Sequence, residues 1–382
     1  MKKILILAFN DLKHDARVMR QINFLKESYS VTIVCFDGFD SPEYNLIQIK
    51  KIKPSLVQKI TVAIFLIIRF YEIAYKILYD YPTLRQTLKS QSFDLIVAND
   101  IECLPLAISL KKKEKISYDA HEYAPRHFED KLVWRLFFQG FNKYLCKKYL
   151  PLTNVMTTVA AGLAKEYASH YPVHPVVITN TNYYFNIDPF PVSKEKIRLI
   201  HHGAANPSRQ LELMIEMMDY LDDRFSLNLM LLTSAIANKK TRYYLNSLKE
   251  LVHKNPKVKI INPVKSEEVI YTICQYDMGI FLLPPINFNY ANTLPNKLFD
   301  YIQARLAVAI GPTPEMSNIV TTYDVGVVSQ EFTPQSIARV LNELTTEKIE
   351  YYKRQSDMAA KELSAEKNKI ILNSLVSQLL NS

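Results

Sequence analysis

Apolar residues in this chain fall in short blocks separated by polar stretches. Residues 4–9 form a six-residue apolar run, Val18, Ile22 and Leu25 follow at helical spacing, and a second run covers 31–36. That order predicts a strand, a helix and a strand. Further runs at 93–98, 116–118 and 155–159 read as strands, with helices at 105–110, 133–148 and 162–167. The expected result for the first half is a parallel sheet covered by helices.

Composition changes over residues 176–196, which are rich in Asn and aromatics and carry Pro189 and Pro191, so the domain junction is placed there. Alternation then resumes. Strands are expected at 197–201, 227–232, 258–261, 278–283 and 307–310, and helices at 212–221, 243–252, 266–276, 295–304, 333–344 and from 348 toward 379. The division this predicts is 1–185, 186–360 and a terminal helix over 361–382 that returns to the first domain. Open parallel sheets hold ligands beyond the carboxyl ends of their strands, which makes a cleft between the domains the default site.

The most apolar stretch, 61–68, is too short to span a bilayer, which needs roughly 20 residues. Its continuation to 78 admits Arg69, Glu72 and Lys76, so one buried or surface-lying helix is expected. The start Met1-Lys2-Lys3 precedes a run that charges follow at once, which reads as a first strand rather than a secretory signal.

Charge narrows the partners without naming them. The 382 residues carry a formal charge of +9, which suits anionic nucleotides or an anionic membrane and is too moderate to point to nucleic acid. Residues 1–190 hold 25 basic and 18 acidic residues, so most of the excess lies in the first half, where a membrane-facing patch is one reading and a solvated face the other. Four widely spaced cysteines indicate neither a zinc cluster nor a disulfide framework, and a reduced cytoplasmic setting follows.

Three segments are candidates for chemistry. In Asn292-Thr293-Leu294-Pro295-Asn296-Lys297-Leu298-Phe299-Asp300-Tyr301, Pro295 suits the first turn of a helix, and Thr293 or its neighbour is a candidate cap. Free amides there fit a diphosphate. Asn292 and Thr293 can bond a sugar, and Asp300 can accept from a ribose hydroxyl; a plain capped helix with Asp300 exposed is the competing reading. In the second segment, Gly203 permits close backbone approach before Pro207, and Arg209 stands near a helix start, where a cation is disfavoured unless an external anion meets it. Lys265 follows another strand end and is a weaker cation candidate. The third segment, Asp119-Ala120-His121-Glu122, places three ionisable groups after a strand, suited to orienting a hydroxyl or moving a proton. No metal site is indicated. Glycine-rich dinucleotide and phosphate loops, a nucleophile elbow and the HExxH pattern are all missing, and seven glycines in the chain leave phosphate binding to helix ends and cations.

Leu294-Pro295-Asn296-Lys297-Leu298-Phe299-Asp300-Tyr301, with Ala304, Val308 and Ala309, resembles the PNKLFEY segment of retaining, GT-B-fold glycosyltransferases of the bacterial capsule, exopolysaccharide and lipopolysaccharide group (group 1, family 4-like). Asp15-Ala16-Arg17-Val18, Tyr118-Asp119-Ala120-His121-Glu122 and His202-Gly203 through Arg209 support the likeness, which spans nearly the whole chain.

The resemblance implies two Rossmann-like α/β domains facing across a deep cleft. It implies a UDP-sugar donor held by the second domain, a saccharide or lipid-linked saccharide acceptor approaching from the first, transfer with retention, no required cofactor or metal, and a position at the inner face of the membrane. Arg209 and Lys265 match the cations that neutralise the leaving diphosphate, His121 the position beside the donor sugar, and Asp300 the ribose-binding acid. Gly203, Asn292, Thr293, Leu294 and Pro295 complete the donor site. Two glutamates frequent in the family fall on Asn292 and Asp300 here, and its glycine-rich first loop is replaced by residues 10–14. A silent sugar-nucleotide- or glycan-binding partner is the alternative, with Asn292 in its favour, and a nucleotide-sugar epimerase is a third reading.

Overall fold

The first apolar run folds as β1 (Lys3–Ala8), whose residues from Ile4 onward are fully buried, as a strand covered on both faces requires. In the computed structural model residues 1–232 and 239–381 are described, and the chain divides into two units. The first contains residues 1–179, 287–289 and those from 368; the second contains 180–286 and 290–367.

Among the described residues, the first unit holds one sheet of β2 (Ser30–Cys35), β3 (Asn45–Gln48), β4 (Leu95–Asn99), β5 (Lys115–Ala120), β6 (Val155–Thr158) and β7 (Val176–Val177) with β1, in the order β3-β2-β1-β4-β5-β6-β7. Every pairing is parallel; Ile6 stands opposite Ile33 on one side and Val97 on the other. The helix α1 (Ala16–Lys26) is capped by the Asp15 side chain, which accepts from Val18 N. Asn368 ties the last segment to this unit, its Nδ2 donating to Thr179 O at 2.7 Å.

The second unit's sheet comprises β8 (Ile197–Ala204), β9 (Phe225–Leu232), β10 (Val258–Ile261), β11 (Met278–Phe281), β12 (Ala307–Ile310) and β13 (Gly326–Val328), again all parallel among the described residues, in the order β10-β9-β8-β11-β12-β13. No helix or strand occurs over 178–196, where the sequence changes composition.

Several elements differ from expectation. The single helix through 61–78 is two, α2 (Leu56–Ile67) and α3 (Tyr71–Tyr79), parted where Arg69 takes φ 64 and Phe70 N donates to Phe65 O. Ser55 and Gln58 form a capping box that starts α2 before the apolar run. The helix expected over 133–148 contains a π-turn, Arg135–Gln139, and the terminal helix is split into Thr346–Glu362 and Ala365–Asn381. The strands β3, β7 and β13 and the helices Pro82–Lys89 and Pro314–Thr322 were not foreseen; each of the two helices begins with the proline that ends the preceding segment.

Candidate functional site

The second sheet reverses its strand order at β8 and β11, the position where open parallel sheets bind ligands. Gly203, near the end of β8, has φ +130. A Cβ placed there would lie 3.1 Å from Lys297 Nζ and 3.5 Å from Arg209 Nη1, so two cations meet the same stretch of backbone. Lys297 is 6% exposed, with its ammonium 4.1 Å from the centre of the Phe281 ring. Burial, and then Arg209, push its pKa well below the usual lysine range. Arg209 closes the turn Pro207–Arg209, which Asn206 caps, and its Nη1 donates to Ala204 O at 3.4 Å. Among the described residues neither cation forms an ion pair.

The helix Asn296–Gln303 starts beside them. Pro295 is its N-cap residue, not its first helical residue as expected, and no side chain caps it, Thr293 included. Proline has no polar side-chain atom to do so; its carbonyl accepts from Leu298 N, and the amides of Asn296 and Lys297 remain at the uncapped end. Asn292 and Thr293 sit half-buried in the preceding turn. The Leu294 side chain is buried, so only its backbone can face a ligand.

Asp300 is largely shielded, in contrast to the exposed position of the plain-helix reading. Its Oδ1 accepts from Asn182 Nδ2 at 3.4 Å, and its Oδ2 lies 3.6 Å from His202 Nε2. Burial, with Lys297 and Arg209 nearby, lowers the His202 pKa to about 3, so this imidazole is neutral and the contact is not an ion pair. His201 is buried with Nδ1 3.0 Å from Ile280 O; a carbonyl only accepts, which places the ring proton on Nδ1. Lys265 is exposed, and its backbone N donates to Glu268 Oε2 at 3.4 Å. The cation beside Arg209 at Gly203 is Lys297, a residue of the candidate motif to which the sequence alone assigns no role.

In the first unit the reversal falls between β1 and β4. A cavity of about 560 Å³ opens there, with Phe9, Tyr81, Asp100, Glu102, His121 and His127 in its lining. Arg17 and Asp119 form a buried bidentate pair, Nε to Oδ2 at 2.8 Å and Nη2 to Oδ1 at 2.6 Å, and Thr157 Oγ1 donates to the same carboxylate. Burial opposes ionisation of Asp119, but Arg17 and His121 outweigh it and hold the carboxyl well below the usual carboxylate range.

His121 follows β5 with Nδ1 3.4 Å from Asp100 Oδ2 and Nε2 3.5 Å from Asp119 Oδ2. Burial works against its charge, yet Asp100 and Asp119 prevail and raise its pKa to about 9. It is therefore an imidazolium at neutral pH, fitted to donate a hydrogen bond rather than to accept a proton. Burial raises both Asp100 and Glu102. His127 Nε2 lies 2.8 Å from Glu122 Oε2, and that contact raises its pKa against the effect of burial. Among the described residues no group of three or more His, Cys, Asp or Glu could hold a metal ion, and Cys35, Cys103, Cys146 and Cys274 are free and buried.

No protein-family model matches the chain, and no curated protein sequence matches it. Solved structures match in fold over its whole length. Anabaena Alr3699/HepE, in complex with UDP and glucose, gives a TM-score of 0.68 at 14% identity with 100% of each chain covered. Sucrose-phosphate synthase from Thermosynechococcus elongatus gives 0.72 at 10% identity, again covering 100% of each chain. A trehalose-6-phosphate structure from E. coli, bound with UDP-2-fluoro glucose, gives 0.70 at 8% identity, covering 100% of this chain and 99% of the other. The likeness shows that the chain has the GT-B fold, two Rossmann-like parallel-sheet domains, as expected from the sequence.

Proposed function

We propose that this protein is a retaining glycosyltransferase that moves a hexose or N-acetylhexosamine from a UDP-sugar to a growing, lipid-linked surface saccharide of the capsule, exopolysaccharide or lipopolysaccharide kind. The observation that carries the reading is the pair Arg209 and Lys297 at Gly203, two cations that form no ion pair among the described residues, beside an uncapped helix end. Such a group fits the diphosphate of a nucleotide sugar. The UDP ligands of the E. coli and Anabaena structures favour uridine over other bases.

In this reading the acceptor hydroxyl oxygen bonds to the anomeric carbon on the face from which the diphosphate departs. The bond from that carbon to the phosphate oxygen breaks, its electron pair stays on the diphosphate, and the departing oxygen takes the acceptor proton. Arg209, Lys297 and the amides of Asn296 and Lys297 stabilise the charge that develops there. Asp300 accepts from the ribose, Asn292 and Thr293 bond the donor, and Leu294 contributes its backbone. His121, as a cation, donates to a sugar hydroxyl, and the acidic, aromatic cavity of the first unit takes the acceptor. Lys265, exposed at its turn, serves the incoming nucleotide at longer range. No step calls for a metal or a resident cofactor.

Calorimetric titration with UDP-, GDP- and CMP-sugars, followed by mass analysis of products with saccharide acceptors, tests the proposal. UDP-sugar binding and a product heavier by one sugar are expected. Binding without transfer or donor hydrolysis would instead identify a silent sugar-nucleotide-binding partner, and binding of no sugar nucleotide would end both readings.

A further inference from the structure

The helix α2 carries two apolar faces. Val62 and Leu66, one helical turn apart, are buried against the protein. Leu56, Val57, Ile60, Ile64 and Ile67 point outward with between 51% and 74% of their surface exposed. A second exposed group comprises Leu132 and Val133, on the segment that leads into the turn Arg135–Gln139, and Leu136 within that turn, against which α2 packs. Water-facing side chains of this size, gathered on neighbouring segments, mark a surface that meets another apolar phase.

Charge identifies that phase. Residues 50–79 carry six basic residues and one acid, Glu72, which is bound to Lys148; residues 131–148 carry five basic residues and no acid. An apolar face rimmed by lysine and arginine complements an anionic lipid surface. At 12 residues α2 is about 18 Å long, too short to cross the roughly 30 Å of hydrocarbon. No helix among the described residues is long and apolar enough to span. The break at Arg69 lets α2 and α3 fold back on one another.

We propose that the outward face of α2, together with Leu132, Val133 and Leu136, docks on an anionic bilayer, with the basic residues around it at the headgroups. The surface also bears on the acceptor. Lys51, Ile52 and Pro54, just before α2, and Leu78 and Tyr79, at the end of α3, line the cavity that contains His121. A docked hairpin therefore holds the rim of that cavity at the lipid boundary. This last point rests on the transferase reading; the docking does not.

Flotation of the full chain with vesicles of phosphatidylcholine, with and without phosphatidylglycerol, tests the docking without reference to activity. The chain is expected to float with the anionic vesicles and to be released by salt. The triple substitution Lys53→Gln, Lys59→Gln and Lys76→Gln is expected to weaken the partition about a hundredfold, at about fivefold per charge. The triple substitution Ile60→Ser, Ile64→Ser and Ile67→Ser is expected to abolish flotation while the protein melts as wild type, because these side chains are exposed. Should that variant not fold, Val133→Ser with Leu136→Ser provides the same test on the other segment. Absence of flotation, equal recovery with both vesicles, or apolar variants that float like wild type would overturn the proposal. So would self-association in solution that the serine variants abolish, which would assign the face to a second copy of the chain.

Discussion

Arg17 and Asp119 stand 102 positions apart and close on one another as a buried bidentate ion pair. Each belongs to a short segment that the sequence singled out, and the pair joins the helix after β1 to the end of β5, directly behind His121. Breaking a buried pair by removing one partner costs about 3–5 kcal/mol, because the other charge is left without compensation. Asp119→Asn and Arg17→Met are each expected to lower the unfolding free energy by that order, read from denaturant curves, and the double substitution to cost less than the sum. Additive losses would mean that the two residues act independently.

The same pair fixes an acid limit on stability. The Asp119 carboxyl is depressed in the fold, so its contribution is complete above the unfolded carboxylate pKa of about 3.9 and declines as pH falls below it. Unfolding curves from neutral pH into the acid range should lose stability in that window, and Asp119→Asn should flatten the loss.

His121 gives the opposite slope. Its pKa rises to about 9 on folding from the ordinary imidazole value of 6.5, so its stabilisation is complete below 6.5 and disappears as pH rises through 9. The effect amounts to at most roughly 3 kcal/mol. An imidazole NMR titration with its midpoint near 9 is expected. Transfer activity should show an alkaline limb in the same range, absent in His121→Gln.

Removing Arg209 is expected to cost about 2.7–4 kcal/mol in transition-state stabilisation, read as a fall in kcat/KM. Lys297→Met separates binding from folding. It should weaken UDP affinity while leaving the melting temperature unchanged or higher, because an apolar side chain of similar length replaces a desolvated amine. A melting temperature that drops with affinity intact would make Lys297 a packing residue.

Gly203→Ala should be damaging for two reasons. Its φ of +130 is strained for any side chain, at roughly 1–3 kcal/mol, and its new methyl would crowd Lys297 Nζ at 3.1 Å. Thermal melts and UDP titration should both register the change.

The central strands β1 and β4 were legible because a parallel strand covered on both faces must be apolar throughout, and each contains such a run. The edge strands β3 and β13 were not, since three or four residues of mixed polarity carry no period. Nothing in the composition marks Arg69 as the end of a helix, because a positive φ at arginine has no sequence signature. In the candidate site, the strand end and helix start single out Gly203 and Arg209, the carboxylate singles out Asp300, and the structure brings Gly203 and Arg209 together with Lys297. Lys297 was overlooked because lysine on a helix reads as solvent-facing. The available signal was its place four residues before Tyr301, on the face that packs inward.

Burial of Lys297 beside Arg209 has a consequence for the pH profile of binding. Burial and then the Arg209 charge lower the pKa of this amine, and an arriving diphosphate would draw it upward again, so the alkaline side of the UDP affinity profile should carry a lysine titration. Lys297→Met would remove that titration from the profile.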